Sequence, residues 1–236
     1  MSWRTHPLVI RLRNLARAAG VTRWLASLLA RPGYETEFRK MVLATVSRGD
    51  CVWDVGANVG FYTVPFAEIV GAEGKVIAFE PSHVNQTPLE AAVKELGNVT
   101  IVPLALGAED AIVRFEQGGD PLGATSRLLG EPNTGAEGGL DVHVARGDAL
   151  ISEGTIPSPN IIKIDTEGAE VDVLHGLDGS LKSPSLRALC IEVHFGLLNE
   201  RGLKDGPRQI ERILSAAGFR YRWPDPSHIV AVRNAP

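Results

Sequence analysis

The residues able to do chemistry fall in four short stretches of a 236-residue chain. In Cys51-Val-Trp-Asp-Val-Gly-Ala-Asn-Val-Gly60, an apolar run passes Asp54 and breaks at Gly56 and Gly60, with Ala57 and Asn58 between them. Glu80 closes a second apolar run and is followed by Pro81 and Ser82. Asp165 closes a third, and Glu192 and His194 stand two apart at the end of a fourth. A strand that runs through glycines into a helix brings backbone N–H groups and a helix N-terminus close to a nucleotide-like ligand.

The glycine spacing is Gly-x-x-x-Gly, which differs from the Gly-x-Gly-x-x-Gly turn that seats a dinucleotide pyrophosphate. A carboxylate at Asp54, ahead of the glycines, repels phosphate and suits a cation, either ammonium or sulfonium. S-adenosylmethionine carries both. Glu80, 20 residues beyond Gly60, is placed to accept both hydrogen bonds of a ribose diol, in a nicotinamide or an adenosylmethionine site alike. Its plain structural alternative is a cap on the following helix. On the acceptor side, His194 is the better general base, since imidazole titrates near neutrality, and Asp165 or Glu192 orients it or holds the acceptor. The structural alternative for His194 is an edge histidine bonded to a carbonyl. Asp165, Glu192 and His194 together also offer ligands for a divalent ion, which their spacing does not require. Glu167 and Glu170 flank a helix N-terminus, where acids stabilise the dipole. His6, His83, His143 and His228 have no partner that spacing identifies.

The elements that position these residues follow from hydrophobic periodicity. Tyr34 to Ser47 reads as a helix with Phe38, Val42 and Val46 on one face. Strand, helix, strand, helix, strand then alternate over residues 51–106, the pattern of a parallel sheet with right-handed crossovers. Ser82 is the expected N-cap of the second helix, weakened by Pro88. Residues 107–140 lose the rhythm. Ile112 to Phe115 and Val142 to Ala145 read as short strands, and the glycine-rich segment from Gly118 to Gly139 as a loop. Strands resume at Ile161 to Asp165 and Leu186 to Phe195, with a helix between them and another from Pro207 to Ala217. A pair of strands across Pro224 to Ser227 closes the chain.

Composition narrows the class. Hydrophobic residues make up 44% and charged residues 22%, ordinary for one globular α/β domain. Net charge is -4; residues 1–31 hold six arginines and no acid, so the remainder carries -10. An acidic body with 6% aromatic residues argues against nucleic acid as a partner, as does the absence of a proline-aromatic turn after Asp165. Cys51 and Cys190 lie in separate apolar runs and read as buried thiols in a reducing, cytoplasmic setting. Residues 1–33 form a basic amphipathic helical extension to a domain over 34–236. It serves either as a packing cap or as a docking element for a membrane surface or a second subunit.

The segments Asp-Val-Gly-Ala-Asn-Val-Gly-Phe-Tyr-Thr at 54–63, Val-Ile-Ala-Phe-Glu-Pro at 76–81 and Ile-Lys-Ile-Asp-Thr-Glu-Gly-Ala-Glu at 162–170 occur in this order. With Val-Leu-His-Gly at 173–176 and Ile-Glu-Val-His at 191–194, they resemble the FkbM-type methyltransferases over roughly Tyr34 to Arg233. The resemblance implies a Rossmann-like class I methyltransferase fold. Its seven-stranded, mostly parallel sheet has order 3-2-1-4-5-7-6 and a C-terminal antiparallel hairpin. It implies S-adenosylmethionine-dependent O-methylation of a sugar, glycan or small-metabolite hydroxyl. Cofactor contacts are expected at Asp54, Gly56, Ala57, Asn58, Gly60, Glu80, Pro81, Ser82 and Asp165, with a Tyr34-Glu35 pair closing over them. Adenine is expected against Leu104 and Ala105, where this chain has no acid for the exocyclic amine. Thr125, Ser126, Arg127, Glu167 and His194 are expected to face the acceptor. Two alternatives stand beside this reading: a nicotinamide-dependent oxidoreductase, and a nucleoside-binding interaction module without turnover.

Overall fold

The computed structural model describes residues 34–116, 127–130 and 139–233. The basic extension 1–33, and Thr125 and Ser126, lie outside the described residues. For Tyr34, Glu35 and Arg127 the description extends to the backbone alone.

Seven strands make the main sheet: β1 (Cys51–Val55), β2 (Lys75–Phe79), β3 (Val99–Val102), β8 (Ile161–Ile164), β9 (Ala188–Glu192), β10 (Arg220–Arg222) and β11 (His228–Val232). Their spatial order is β3-β2-β1-β8-β9-β11-β10, the expected 3-2-1-4-5-7-6 arrangement. β1, β2, β3, β8 and β9 run parallel, whereas β11 lies antiparallel to β9 and to β10. The central strands are apolar on both faces because helices cover both. Ile161, Ile162 and Ile164 of β8 are fully buried, as are Trp53 and Phe79. Each such side chain contributes about 1.5–3 kcal/mol.

The helices are α1 (Tyr34–Leu43), α2 (Thr63–Val70), α3 (His83–Val93), α4 (Gly147–Ser152), α5 (Glu170–His175), α6 (Phe195–Glu200) and α7 (Gly206–Ala216). Phe38, Val42 and Val46 are buried against β1, β9 and β11 as their spacing predicts. α3 tolerates Pro88 at its sixth residue, and Ser82 makes no side-chain cap bond to it. Instead the Ser82 carbonyl accepts from the Asn85 and Gln86 amides. Among the described residues no helix is long and apolar enough to cross a membrane.

The irregular middle of the chain builds a second sheet that sequence periodicity showed only in part. β4 (Ala105–Leu106), β5 (Ala111–Glu116), β6 (Arg127–Gly130) and β7 (Gly139–Ala145) have order β4-β7-β5-β6. β5 and β7 pair antiparallel from Ala111↔Val144 to Glu116↔Gly139. Leu106, Ala111, Val113 and Val144 of this sheet line one cavity together with Gly56, Glu80 and Asp165 of the main one. The registers Val55↔Ile164 and Ile164↔Ile191 bring the ends of β1, β8 and β9 to the carboxyl edge of the main sheet, where ligands of open α/β sheets bind.

Candidate functional site

The loop after β1 passes so close to the end of β8 that only glycine fits at its first position. Gly56 has φ +78°, and a Cβ there would lie 1.9 Å from the Asp165 carbonyl oxygen. The Gly56 and Ala57 amides donate to the Phe79 carbonyl at 3.0 Å each, tying the loop to the end of β2. Glu80, just beyond, is a buried carboxylate held by backbone. Asn58 N donates to Oε2 at 2.8 Å, Ser82 N to Oε1 at 2.9 Å, and Asn85 Nδ2 to Oε1 at 3.3 Å. Burial pushes its carboxyl up, against the pull of these donors. Oε1 thus accepts from two donors and Oε2 from one, so Oε2 keeps a lone pair for a ligand hydroxyl.

Asp54 departs from the sequence reading. Its side chain is fully buried, accepts from Thr63 Oγ1 at 2.6 Å, and lies 3.4 Å from Lys163 Nζ. Lys163, itself buried in β8, donates to the Gly56 carbonyl at 3.0 Å and lies 3.3 Å from Asp165 Oδ2. Burial alone lowers an ammonium pKa, but Asp165 and Asp54 drive it up overall. Burial pushes Asp165 up, yet Lys163 and His194 hold it below the usual carboxylate range. Asp54 therefore meets a cation inside the protein and supports the glycine loop from beneath, in place of facing a cationic ligand. A lysine within an apolar strand was the signal for this pair.

A cavity of about 430 Å³ opens over this edge, a size suited to a small ligand. Gly56, Asn58, Glu80, Pro81, Leu104 and Ala105 line one part of it, and Asp165, Thr166 and Glu167 another. Leu106 and Val113 of the second sheet line it as well. Gly60 and Ser82 shape the loops without lining the cavity. Asn58 Oδ1 and Thr166 Oγ1, on cavity-lining residues, are buried without a hydrogen-bond partner.

The acid–histidine group assembles at the same edge, though not as two residues of one strand. β9 ends at Glu192, and His194 follows as the residue capping α6. Its Nδ1 lies 2.6 Å from Oε1 of the fully buried Glu170, which also accepts from Gly168 N at 2.9 Å. A carboxylate only accepts, so Nδ1 carries a proton and Nε2 is left to the neighbouring carboxylates; His194 itself does not line the cavity. Around Nε2 stand Glu167 Oε2 at 3.3 Å, Asp165 Oδ1 at 3.6 Å and Glu192 Oε1 at 3.9 Å. Burial opposes the imidazolium, but Glu170, Glu167 and Asp165 outweigh it and raise His194 to about 10. A ring so held is already protonated at neutral pH and is a poor general base, contrary to the sequence reading. Burial instead raises Glu167 to about 7, against the pull of His194. Glu167 occupies φ +50°, an uncommon conformation for a residue with a long side chain. Neither Glu167 nor Glu170 acts merely as a helix-terminus charge.

One further histidine joins this network unannounced by spacing. His228, buried in β11, lies 2.8 Å from both Asp225 oxygens and 3.3 Å from Glu192 Oε2, with its ring stacked on Phe38 at 3.9 Å. The two cysteines carry free thiols. Cys190 is buried and Cys51 half-buried, and burial raises them to about 12 and about 11.

The chain is similar to several known proteins. A profile of the methyltransferase FkbM domain matches residues 54–221. A curated relative from Haloferax volcanii, the hexuronic acid methyltransferase AglP, is 28% identical over 184 residues, covering 78% of this chain and 69% of its own. The 31-O-demethyl-FK506 methyltransferase FkbM of Streptomyces tacrolimicus is 28% identical over 214 residues, covering 78% of this chain and 81% of its own. Among solved structures, the SMU.1697c protein of Streptococcus mutans in complex with SAH superposes with a TM-score of 0.50 at 11% identity. It covers 86% of this chain and 98% of that one, a likeness of fold.

Proposed function

The chain belongs to the FkbM methyltransferase domain family, and from that premise we propose that it is an S-adenosylmethionine-dependent O-methyltransferase acting on a hydroxyl of a sugar, glycan or small metabolite. The observation that carries this reading is one cavity lined by both Glu80 and the Asp165–Glu167 loop. A nucleoside-binding end and an acid–base end thus share one space. The names of the two curated relatives support the acceptor class, since one specifies a hexuronic acid and the other an O-demethyl metabolite. The nicotinamide alternative has lost its footing to the family match and the antiparallel β10–β11 pair.

When bound, S-adenosylmethionine supplies an electrophilic methyl group whose transfer leaves a neutral thioether. Glu80 would hold the ribose diol, and the Gly56–Gly60 loop would form the adjoining wall of the cofactor site. Leu104 and Ala105 offer an apolar wall for the adenine, with backbone groups in place of an acid. Lys163 fixes Asp165 and the Gly56 carbonyl in one geometry, which preserves the distance between donor and acceptor sites. The acceptor hydroxyl loses its proton as its oxygen bonds to the methyl carbon. A carboxylate beside His194, Glu167 foremost, would take that proton.

Calorimetric titration of the full chain with S-adenosylmethionine and with NAD tests the cofactor assignment. Saturable binding of the first, weakened tenfold or more by Glu80→Gln, supports it. Tight NAD binding with no response to S-adenosylmethionine overturns it.

A further inference from the structure

We propose that Asp165, Glu167 and His194 form a divalent-cation site that holds the acceptor through two neighbouring oxygens; this deepens the methyltransferase reading and rests on it for the acceptor alone. The ligand atoms Asp165 Oδ, Glu167 Oε and His194 Nε lie within 4.8 Å of one another. The Nε2 separations of 3.3 Å to Glu167 and 3.6 Å to Asp165 are long for charge-assisted hydrogen bonds. They match the edges of a coordination polyhedron. Ligands bound at about 2.1 Å stand about 3.0 Å apart round an octahedral ion and about 3.4 Å apart round a tetrahedral one.

Two further observations point to a cation. Glu170 is fully buried, and while its Oε1 grips His194 Nδ1, its Oε2 has no hydrogen-bond partner among the described residues. That grip is the pattern by which a carboxylate orients an imidazole so that the other ring nitrogen faces a metal. Charge gives the second. Asp165, Glu167, Glu170 and Glu192 all lie within 4.0 Å of the one imidazole, and Lys163 is shared with Asp54. With His228 set between Glu192 and Asp225, three cations (Lys163, His194, His228) face six carboxylates (Asp54, Asp165, Glu167, Glu170, Glu192, Asp225), a surplus of negative charge that a divalent ion offsets.

The donor set, two carboxylates and one imidazole, suits a first-row ion such as manganese, with the remaining positions open to the cavity that Asp165 and Glu167 line. An acceptor with two adjacent oxygens, hydroxyl beside hydroxyl or hydroxyl beside carboxylate, fits such a site. The ion then lowers the pKa of the coordinated hydroxyl, as metals do for bound water.

The test uses the full chain, dialysed against chelator and titrated with MnCl2. Loss of the free-Mn2+ electron paramagnetic resonance signal counts the bound ions, and electron spin echo modulation detects a coordinated imidazole nitrogen. One bound ion per chain with nitrogen modulation is expected, and the wild-type spectrum needs no variant to fold. Glu167→Gln and His194→Gln should each weaken the site tenfold or more, and Glu170→Gln, through ring orientation, by about 10–100-fold. Absence of stoichiometric binding up to about 1 mM, or bound Mn2+ without nitrogen modulation, overturns the site. Methyl transfer that persists at full rate in chelator also overturns it, while leaving the methyltransferase reading intact. Ion binding without any transfer leaves the site standing and counts against that reading alone.

Discussion

Lys163→Met tests the buried charge arrangement beneath the glycine loop. The substitution keeps the length of the side chain and removes its ammonium, which leaves Asp54, fully buried, with the Thr63 hydroxyl for a partner and the Gly56 carbonyl without its donor. Breaking a buried ion pair by deleting one partner costs about 3–5 kcal/mol, a large share of the roughly 5–15 kcal/mol that holds a domain folded. For a domain of this size each kcal/mol moves Tm by about 2–4 °C, so a fall of roughly 6–20 °C is expected. The pH dependence has a definite sign. Burial already raises Asp54, and without Lys163 its folded pKa rises further above the unfolded value. The folded state then binds more protons than the unfolded one between those two values, so stability falls as pH rises through that window. The deficit of Lys163→Met should therefore shrink on acidification. Adding Asp54→Asn to Lys163→Met should recover part of the loss at neutral pH, a coupling of about 0.5–3 kcal/mol. Urea unfolding of the single and double variants at pH 5 and pH 8 measures all of this. A single-variant loss below about 1 kcal/mol, or a deficit that grows toward acid, refutes the buried-pair account.

Other expectations follow from the same geometry. Gly56→Ala places a methyl group 1.9 Å from the Asp165 carbonyl oxygen, so the β1 loop must move. Cofactor affinity should fall at least tenfold while secondary structure persists by circular dichroism; unchanged affinity contradicts the packing. His228 is raised to about 9 by Asp225 and Glu192 against the opposing effect of burial. Its contribution, on the order of 3 kcal/mol, is fully present below the unfolded histidine pKa and lost as pH rises through about 9. His228→Phe should flatten the stability curve between pH 7 and 10 in urea unfolding. His194, held near 10, should show imidazolium chemical shifts by NMR across pH 6–8 in the chelator-treated protein, and Glu170→Gln should bring its titration toward neutrality.

Sequence and structure agree most closely where a single physical rule acts alone. The alternation of strands and helices was legible because each central strand is an apolar run bounded by turn residues, whereas the order of the seven strands followed from the family resemblance. The close passage of Gly56 over β8 was legible as a glycine requirement, and Glu80 as a carboxylate at a strand end. Asp54 was misread because its partner Lys163 is 109 residues away and arrives from a neighbouring strand; a charge in isolation says nothing of what compensates it. His194 was misread for a related reason. Its pKa is set by Asp165, Glu167 and Glu170 from the loop after β8 and by Glu192 from β9, and only the folded sheet shows that they converge on one ring. The second sheet was legible only in part, as strands near β5 and β7, because β4 and β6 are short and the segments between carry no strong period. His228 and Asp225 stand three apart at the β10–β11 turn, a spacing open to many readings until the ring is seen beside Glu192.

Transfer of an isotopically labelled methyl group tests the central claim most directly. The full chain is incubated with labelled S-adenosylmethionine and a panel of hexuronic acids, neutral sugars and hydroxylated small metabolites, and products are located by mass spectrometry and NMR. The predicted result is label on a hydroxyl oxygen of at least one acceptor, abolished by Glu80→Gln combined with Gly56→Ala. Saturable cofactor binding with no label transferred to any acceptor, or label on nitrogen or carbon only, would contradict it.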